Sequence, residues 1–149
     1  MPLRRARLLL ADDEGIRSYQ AVMYSAIWCA GVWAIWAGEI PGAVGQIMGR
    51  FAHLGWVALL VAGPTMWAVG VLLEQRQPIG LWLQLAGDVG VFFALTVYVL
   101  ALSQTVYAGR ATFALWVVLG LVVCACRLVW RDWRRVRVVA QVARRLDGD

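Results

Sequence analysis

Asp88 is the residue with the clearest potential for chemistry, because it is the single charged residue between positions 76 and 110. Gln84 precedes it by four positions, so the two polar side chains lie one turn apart on the same side of a helix. A carboxylate inside an apolar run costs about 2.5–3.5 kcal/mol on insertion scales. We therefore expect Asp88 to be protonated, paired or turned toward a wet cavity, with Arg127 and Thr65 as its expected partners. It serves a proton or ion pathway, a polar seam that a trigger can open, or the packing of helices.

The other reactive residue types form no recognisable site. His53 is the one histidine, and without a cluster of acids or thiols it makes a poor metal ligand, so we interpret it as an interfacial polar residue. No serine-nucleophile, Walker-type or zinc-protease motif appears. The sequence therefore predicts no catalytic, cofactor-binding or metal site, and no enzyme. The cysteines lie in apolar runs and are interpreted as small hydrophobic residues: Cys29, Cys124 and Cys126.

The composition excludes a soluble enzyme and a nucleic-acid-binding domain. Hydrophobic residues make up 62% of the 149 residues and charged residues only 15%, against about 25% charged residues in soluble domains. About 20 apolar residues suffice for a helix to cross the ~30 Å hydrocarbon core of a membrane. We therefore predict an all-α integral membrane protein with a four-helix transmembrane domain over residues 19–130. Its spans cover approximately residues 19–38, 51–73, 79–102 and 111–130.

The distribution of arginine predicts the orientation of these spans. Twelve of the fourteen basic residues fall before the first span, between the second and third, or from Arg127 at the inner end of the fourth onward, whereas Arg50 and Arg110 lie on the opposite side. The positive-inside rule then places both termini in the cytoplasm. Residues 1–18 form a cytoplasmic lead-in, and residues 131–149 form a basic cytoplasmic tail of a multi-pass membrane protein.

The basic tail has the pattern of an amphipathic helix. It either continues span four into the cytoplasm, lies along the inner leaflet, or forms a helix seam between subunits. At the leaflet each arginine near anionic lipid contributes about 1 kcal/mol, which makes anionic lipids the expected partners and nucleic acid an unexpected one. The arginines predicted to contact lipid head groups are Arg131, Arg134, Arg135, Arg137, Arg144 and Arg145.

Span three carries a stripe of small or polar residues beside Asp88. Such a stripe lets helix backbones approach closely, because lipid gives helices no hydrophobic reason to associate. We expect this face to point into the bundle or toward a sister subunit, as a packing or pore face of a homo-oligomer. The stripe repeats at steps of four and three: Gly80, Gln84, Gly87, Val91, Ala94 and Tyr98.

Segment 54–98 also carries a pattern of turn and packing residues. The pattern consists of Trp56, Leu59, Leu60, Gly63, Gly70, Glu74, Gly80, Leu81, Trp82, Leu83, Gln84, Ala86, Gly87 and Tyr98. It resembles small four-span membrane proteins carried by actinobacterial phages, and the exclusive use of arginine as the basic residue is compatible with a GC-rich host. Some proteins of this kind are holins, which accumulate in the inner membrane and open it so that an endolysin reaches the wall. Asp88 has no counterpart in the pattern, so the resemblance gives it no role.

The leading functional hypothesis is therefore a holin-like protein that self-associates and permeabilises the inner membrane during lysis, with an endolysin as its functional partner. Lateral assembly through the span-three stripe would be followed by exposure of Gln84 and Asp88 to water in a pore. One alternative is an oligomer that conducts protons or ions through Asp88. Another is an accessory membrane anchor or superinfection-exclusion factor that works through the basic tail.

Overall fold

The structure is all-helical in the residues that it describes. The computed structural model describes residues 2–38, 50–74, 77, 79–104 and 112–146, with side-chain surroundings for residues 17–38, 52–74, 77, 79–104 and 112–141. Each helix contains a stretch long and apolar enough to cross a membrane, which confirms the predicted class of a four-helix, multi-pass membrane protein. The helices are α1 (Pro2–Ala37), α2 (Arg50–Glu74), α3 (Ile79–Ser103) and α4 (Thr112–Leu146).

The first and last helices are longer than the predicted spans. Helix α1 begins at Pro2, a residue suited to the first helical position, and therefore runs through the expected lead-in of residues 1–18. It ends where Gly38 adopts a φ of 63°, the left-handed conformation that commonly terminates helices. Helix α4 continues to Leu146 because neither proline nor glycine occurs between Gly120 and Leu146 to interrupt it. The helix therefore does not stop near residue 130.

Helices α2 and α3 form the closest pair in the fold. Backbone hydrogen bonds from Gln77 to Leu73 (2.9 Å) and from Gly80 to Gln77 (3.1 Å) turn the chain sharply between them. At Gly87, a Cβ atom would lie 2.6 Å from the Gly63 carbonyl oxygen. The glycines thus permit backbone contact between the two antiparallel helices, as expected for association inside lipid.

Helices α1 and α4 flank this pair on different sides. Among the described residues, α1 comes within 8 Å (Cα to Cα) of α2 but not of α3 or α4, and α4 comes within that distance of α3 alone. A buried apolar cluster, containing Tyr24, Val91 and Leu128, spans the space between α1, α3 and α4. Side chains rather than backbones therefore join α1 to the second half of the chain.

Candidate functional site

Asp88 lies at the centre of a buried group of polar side chains. It is fully buried, with a relative exposure of 0%, on the side of α3 that faces α1 and α4. Its Oδ1 atom accepts hydrogen bonds from Gln20 Nε2 (2.8 Å) and from the Tyr24 hydroxyl (2.6 Å). Gln20 and Tyr24 are four positions apart on α1, so one face of that helix supplies both donors.

Helix α4 completes this group with a charged pair. Arg131 Nε lies 2.8 Å from Asp132 Oδ1, and Arg131 Nη2 donates to Gln20 Oε1 at 3.1 Å. Asp132 is only 3% exposed, and Gln20 and Arg131 link it to Asp88 through a continuous chain of hydrogen bonds. We call these five residues, Gln20, Tyr24, Asp88, Arg131 and Asp132, the Asp88 cluster.

The partners of Asp88 differ from those expected from sequence. The Thr65 hydroxyl is exposed and donates to the carbonyl of Val61, one turn earlier in its own helix, at 2.7 Å. Arg127 is exposed, and the guanidinium of this region belongs to Arg131, one turn farther along α4. The predicted cation, Arg127, is wrong because the predicted fourth span ends at residue 130, which leaves Arg131 and Asp132 outside the bundle.

The sequence did contain a signal for the missing partners. Among the described side chains of α4, the buried ones are Ala125, Leu128, Asp132 and Val136, a helical spacing that runs through the predicted end of the span without a break. Following that spacing would have brought Asp132 to the face that packs on α3. Gln20 gave a weaker signal, as a polar residue one turn before Tyr24 at the start of the first span.

A second polar group joins α1, α2 and α3 near the turn between α2 and α3. Arg17 Nη2 donates to Glu74 Oε2 at 3.1 Å, and Gln84 Nε2 donates to the same oxygen at 3.0 Å. The Arg17 and Glu74 side chains are 40% and 27% exposed, so this pair is far more open than the Asp88 cluster. The contact places Gln84 against Glu74 rather than beside Asp88.

Most of the predicted small-residue stripe of α3 packs inside the chain. Five of its members are buried: Gly80, Gln84, Gly87, Val91 and Ala94. Tyr98 is half-buried and stacks on Trp56 with ring centroids 5.9 Å apart, while Trp56 Nε1 donates to the Ala94 carbonyl at 2.9 Å. The stripe therefore packs into the bundle, the first of the two predicted orientations.

Comparison with known proteins gives no relative. No family model, curated protein or solved structure matches the chain. The residues described by the structure also contain no group of three or more histidine, cysteine, aspartate or glutamate side chains placed to hold a metal ion.

The predicted lipid-contacting arginines lie along the end of α4. Arg134 and Arg137 are exposed and each covers an indole ring one turn earlier, with the guanidinium carbon 5.9 Å from Trp130 and 4.9 Å from Trp133. Arg131 and Arg135 line a groove of about 1050 Å³ beside Tyr19 of α1. The side chains of Arg144 and Arg145 lie outside the described residues. Arg131 differs from the others, because its guanidinium is engaged in the Asp88 cluster.

The Asp88 cluster can do two things chemically. It can hold three helices together through charge-assisted hydrogen bonds, which are stronger than neutral ones. Its two carboxyl groups can also take up or release a proton, because they lie in one buried place beside the Tyr24 hydroxyl and the permanently charged Arg131 guanidinium. Both properties depend on exclusion of water by the packed helices, and both would change if α1 moved away from α3.

Proposed function

We propose that this chain is a holin-like protein of an actinobacterial phage, which assembles in the host cytoplasmic membrane and permeabilises it during lysis. Four membrane-crossing helices in 149 residues are consistent with this role. Both termini would face the cytoplasm, where the exposed arginines of α4 would contact anionic lipid. The structure described here would be the closed form, in which the polar residues are shielded.

The observation that carries the proposal is the way α1 is attached. Hydrogen bonds from Gln20 and Tyr24 to Asp88, and from Arg131 to Gln20, connect α1 to α3 and α4. The backbone of α1 stays apart from α3 and α4 and approaches α2 alone among the described helices, so α1 can leave by breaking its contact with α2 while the close α2–α3 pair stays intact. Departure of α1 would uncover Asp88, Arg131 and Asp132 on the membrane-spanning surface of α3 and α4, and would expose Gln20 and Tyr24 on α1 itself.

Such a surface favours assembly in a membrane. Uncovered polar side chains are costly in lipid, and each copy would lower that cost by turning the Asp88 cluster toward the same cluster of other copies. A ring of copies would place these side chains around water, which is the arrangement of a polar pore. This mechanism replaces assembly through the α3 stripe, because that stripe already packs on α2.

Induced expression in a bacterium tests the proposal. The membrane potential should collapse abruptly after a delay, and cells that also express an endolysin should then lyse. Tyr24→Phe removes one of the hydrogen bonds that hold α1 to α3, and it should therefore shorten the delay. Tyr19→Phe is the matched control, because Tyr19 is on the same helix but is 52% exposed. Slowed growth without loss of potential, or equal delays in both variants, would count against the proposal.

The orientation is tested by fusing reporters to the carboxyl terminus. A green fluorescent protein fused after Asp149 should fluoresce, since that protein folds in the cytoplasm, whereas alkaline phosphatase at the same place should be inactive. The opposite pair of results would place the terminus outside and overturn the orientation.

A second candidate function is conduction of protons or ions through Asp88. The observation that favours it is the Asp88 Oδ2 atom, which is buried without a hydrogen-bond donor among the described residues. Liposomes containing the full chain should then show a pH-dependent flux that Asp88→Asn abolishes. Flux that is unchanged in this variant would exclude Asp88 as the conducting group.

A further inference from the structure

The two acids of the Asp88 cluster use only half of their oxygens. Asp88 Oδ1 has two donors and Asp132 Oδ1 has the Arg131 guanidinium. The Oδ2 atom of each acid is buried and has no donor among the described residues. Unpartnered buried carboxylate oxygens are costly. The fold therefore contains two unsatisfied acceptors on carboxyl groups that the Gln20 and Arg131 side chains hold in one buried cluster.

The charges around these oxygens do not balance either. Helix α4 contributes Arg131 and Asp132, α3 contributes Asp88, and α1 contributes the neutral phenol of Tyr24 and the Gln20 amide. With both acids ionised, one cation would face two anions in a site that is almost closed to water. Two carboxylates that share a site do not both ionise readily.

Helix α2 does not supply the missing positive charge. Its side chain at this level is Trp67, whose ring lies edge-on to Tyr24 with centroids 5.2 Å apart. Its own acid, Glu74, is bound to Arg17 and Gln84. The balance within the Asp88 cluster is therefore set by the residues of α1, α3 and α4.

We propose that Asp88 and Asp132 share one proton between their Oδ2 atoms, which makes this pair a proton-binding site that joins α3 to α4. The neutral acid donates its O–H to the facing carboxylate, so a single proton places both Oδ2 atoms in one hydrogen bond. The two acids, the proton and Arg131 together carry no net charge. A bound proton is not a transported one, so the inference goes beyond both proposed functions and depends on neither.

The shared proton also explains how the α3–α4 contact would respond to alkali. Removal of the proton leaves two facing carboxylates and one guanidinium, and the carboxylates repel each other. The α4 helix should then separate from α3 near Asp132. The arrangement predicts a bundle that loosens as the proton is removed and closes when the proton returns.

Infrared spectroscopy of the full chain in lipid nanodiscs tests this inference. Aspartate labelled with ¹³C in the side-chain carboxyl identifies the C=O stretch of a neutral aspartic acid by its isotope shift. At neutral pH the native chain should show one such band, and alkali should remove it. Absence of the band at neutral pH would overturn the proposal, and this measurement needs no variant.

Asparagine variants locate the proton. In Asp88→Asn or Asp132→Asn, the new amide can donate to the remaining carboxylate, which then pairs with Arg131 in an ionised form. Each single variant should therefore fold and lose the neutral-acid band. Glu74→Gln is the matched control and should keep the band, because Glu74 already has its own cation. A band that persists in both asparagine variants would refute a proton held by this pair.

A comparison of spectra in sodium and choline salts distinguishes a bound proton from a bound sodium ion. Spectra at neutral pH should be the same in sodium and in choline salts if a proton occupies the site. A band that appears only when sodium is absent would mean that sodium takes the place between the carboxylates, and would overturn the proposal.

Discussion

The hydroxyl of Tyr24 lies 2.6 Å from Oδ1 of Asp88, and this hydrogen bond joins α1 to α3 across 64 positions of sequence. Both residues are essentially inaccessible to solvent, with relative exposures of 1% and 0%. The bond ties α1 to a helix that its backbone does not approach. It is therefore the contact at which the attachment of α1 can be weakened with the smallest change in shape.

Tyr24→Phe should destabilise the folded bundle by about 1 kcal/mol, the scale of side-chain hydrogen bonds between membrane helices. The change removes one donor to Asp88 and leaves the ring and its contact with Trp67 in place. Unfolding in mixed detergent micelles measures the difference. Tyr19→Phe, at an exposed position of the same helix, should change the free energy of unfolding far less. Equal effects in the two variants would argue that the Tyr24 hydroxyl bond contributes nothing.

Gly87→Ala should destabilise the α2–α3 pair by about 1–3 kcal/mol, the usual cost of overpacking. The added methyl would lie 2.6 Å from the Gly63 carbonyl oxygen and 2.7 Å from the Trp67 backbone nitrogen. Both are backbone atoms, which cannot move aside as a side chain can. The free energy of unfolding in detergent provides the measurement.

Gly120→Ala is the control for this substitution. Gly120 also lies inside a helix, but a Cβ atom there meets nothing within 4 Å. Alanine favours a helix over glycine by about 1 kcal/mol, so this variant should be as stable as the native chain or slightly more stable. If Gly87→Ala behaved in the same way, the close approach of α2 and α3 would be disproved.

The fold could be predicted from the sequence because the membrane fixes the length of each span. Apolar runs of about 20 residues are required by the thickness of the hydrocarbon core, and backbone groups inside lipid must pair within a helix. The stripe through Gly80 and Gly87 likewise predicted a face for close helix packing. These inferences depend only on local patterns, so they can be made without knowledge of how the helices are arranged.

The composition of the Asp88 cluster could not be predicted in the same way. Each residue turns a helix by about 100° and advances it by 1.5 Å, so the partner of a buried acid depends on how the neighbouring helices are rotated and shifted. Ending the fourth span at residue 130 excluded Asp132 from consideration. Identification of Gln20 required knowledge that α1 lies opposite Asp88, and nothing in the local sequence gives that arrangement.

Arg131→Gln should destabilise the chain by about 3 kcal/mol or more, because breaking a buried ion pair leaves uncompensated charge. Asp88 and Asp132 would remain without a cation. Arg17→Gln is the matched substitution at the more exposed pair with Glu74 and should cost less than about 1 kcal/mol. Unfolding in detergent compares the two variants at one pH and one salt concentration.

Adding Asp132→Asn to Arg131→Gln gives an internal check on this reasoning. The second change removes one of the two acids, so part of the lost stability should return. A double variant that is less stable than Arg131→Gln alone would show that the charge of the cluster is not what destabilises the single variant.

A disulfide between α1 and α2 should prevent permeabilisation if α1 must leave the bundle. A Cβ atom on Gly31 would lie 3.0 Å from the Leu60 Cβ atom, near the ~3.5–4.5 Å that a disulfide requires, so a small shift allows Gly31→Cys and Leu60→Cys to be joined. The native cysteines are replaced by alanine for this experiment, since all three are exposed: Cys29, Cys124 and Cys126. Oxidised cells should keep their membrane potential, and a permeant reductant should release the block within the same culture.

Each single-cysteine chain serves as the control and should collapse the potential with or without oxidant. If the cross-linked chain permeabilises the membrane as fast as the reduced chain, α1 stays on α2 during opening and the proposed movement is wrong.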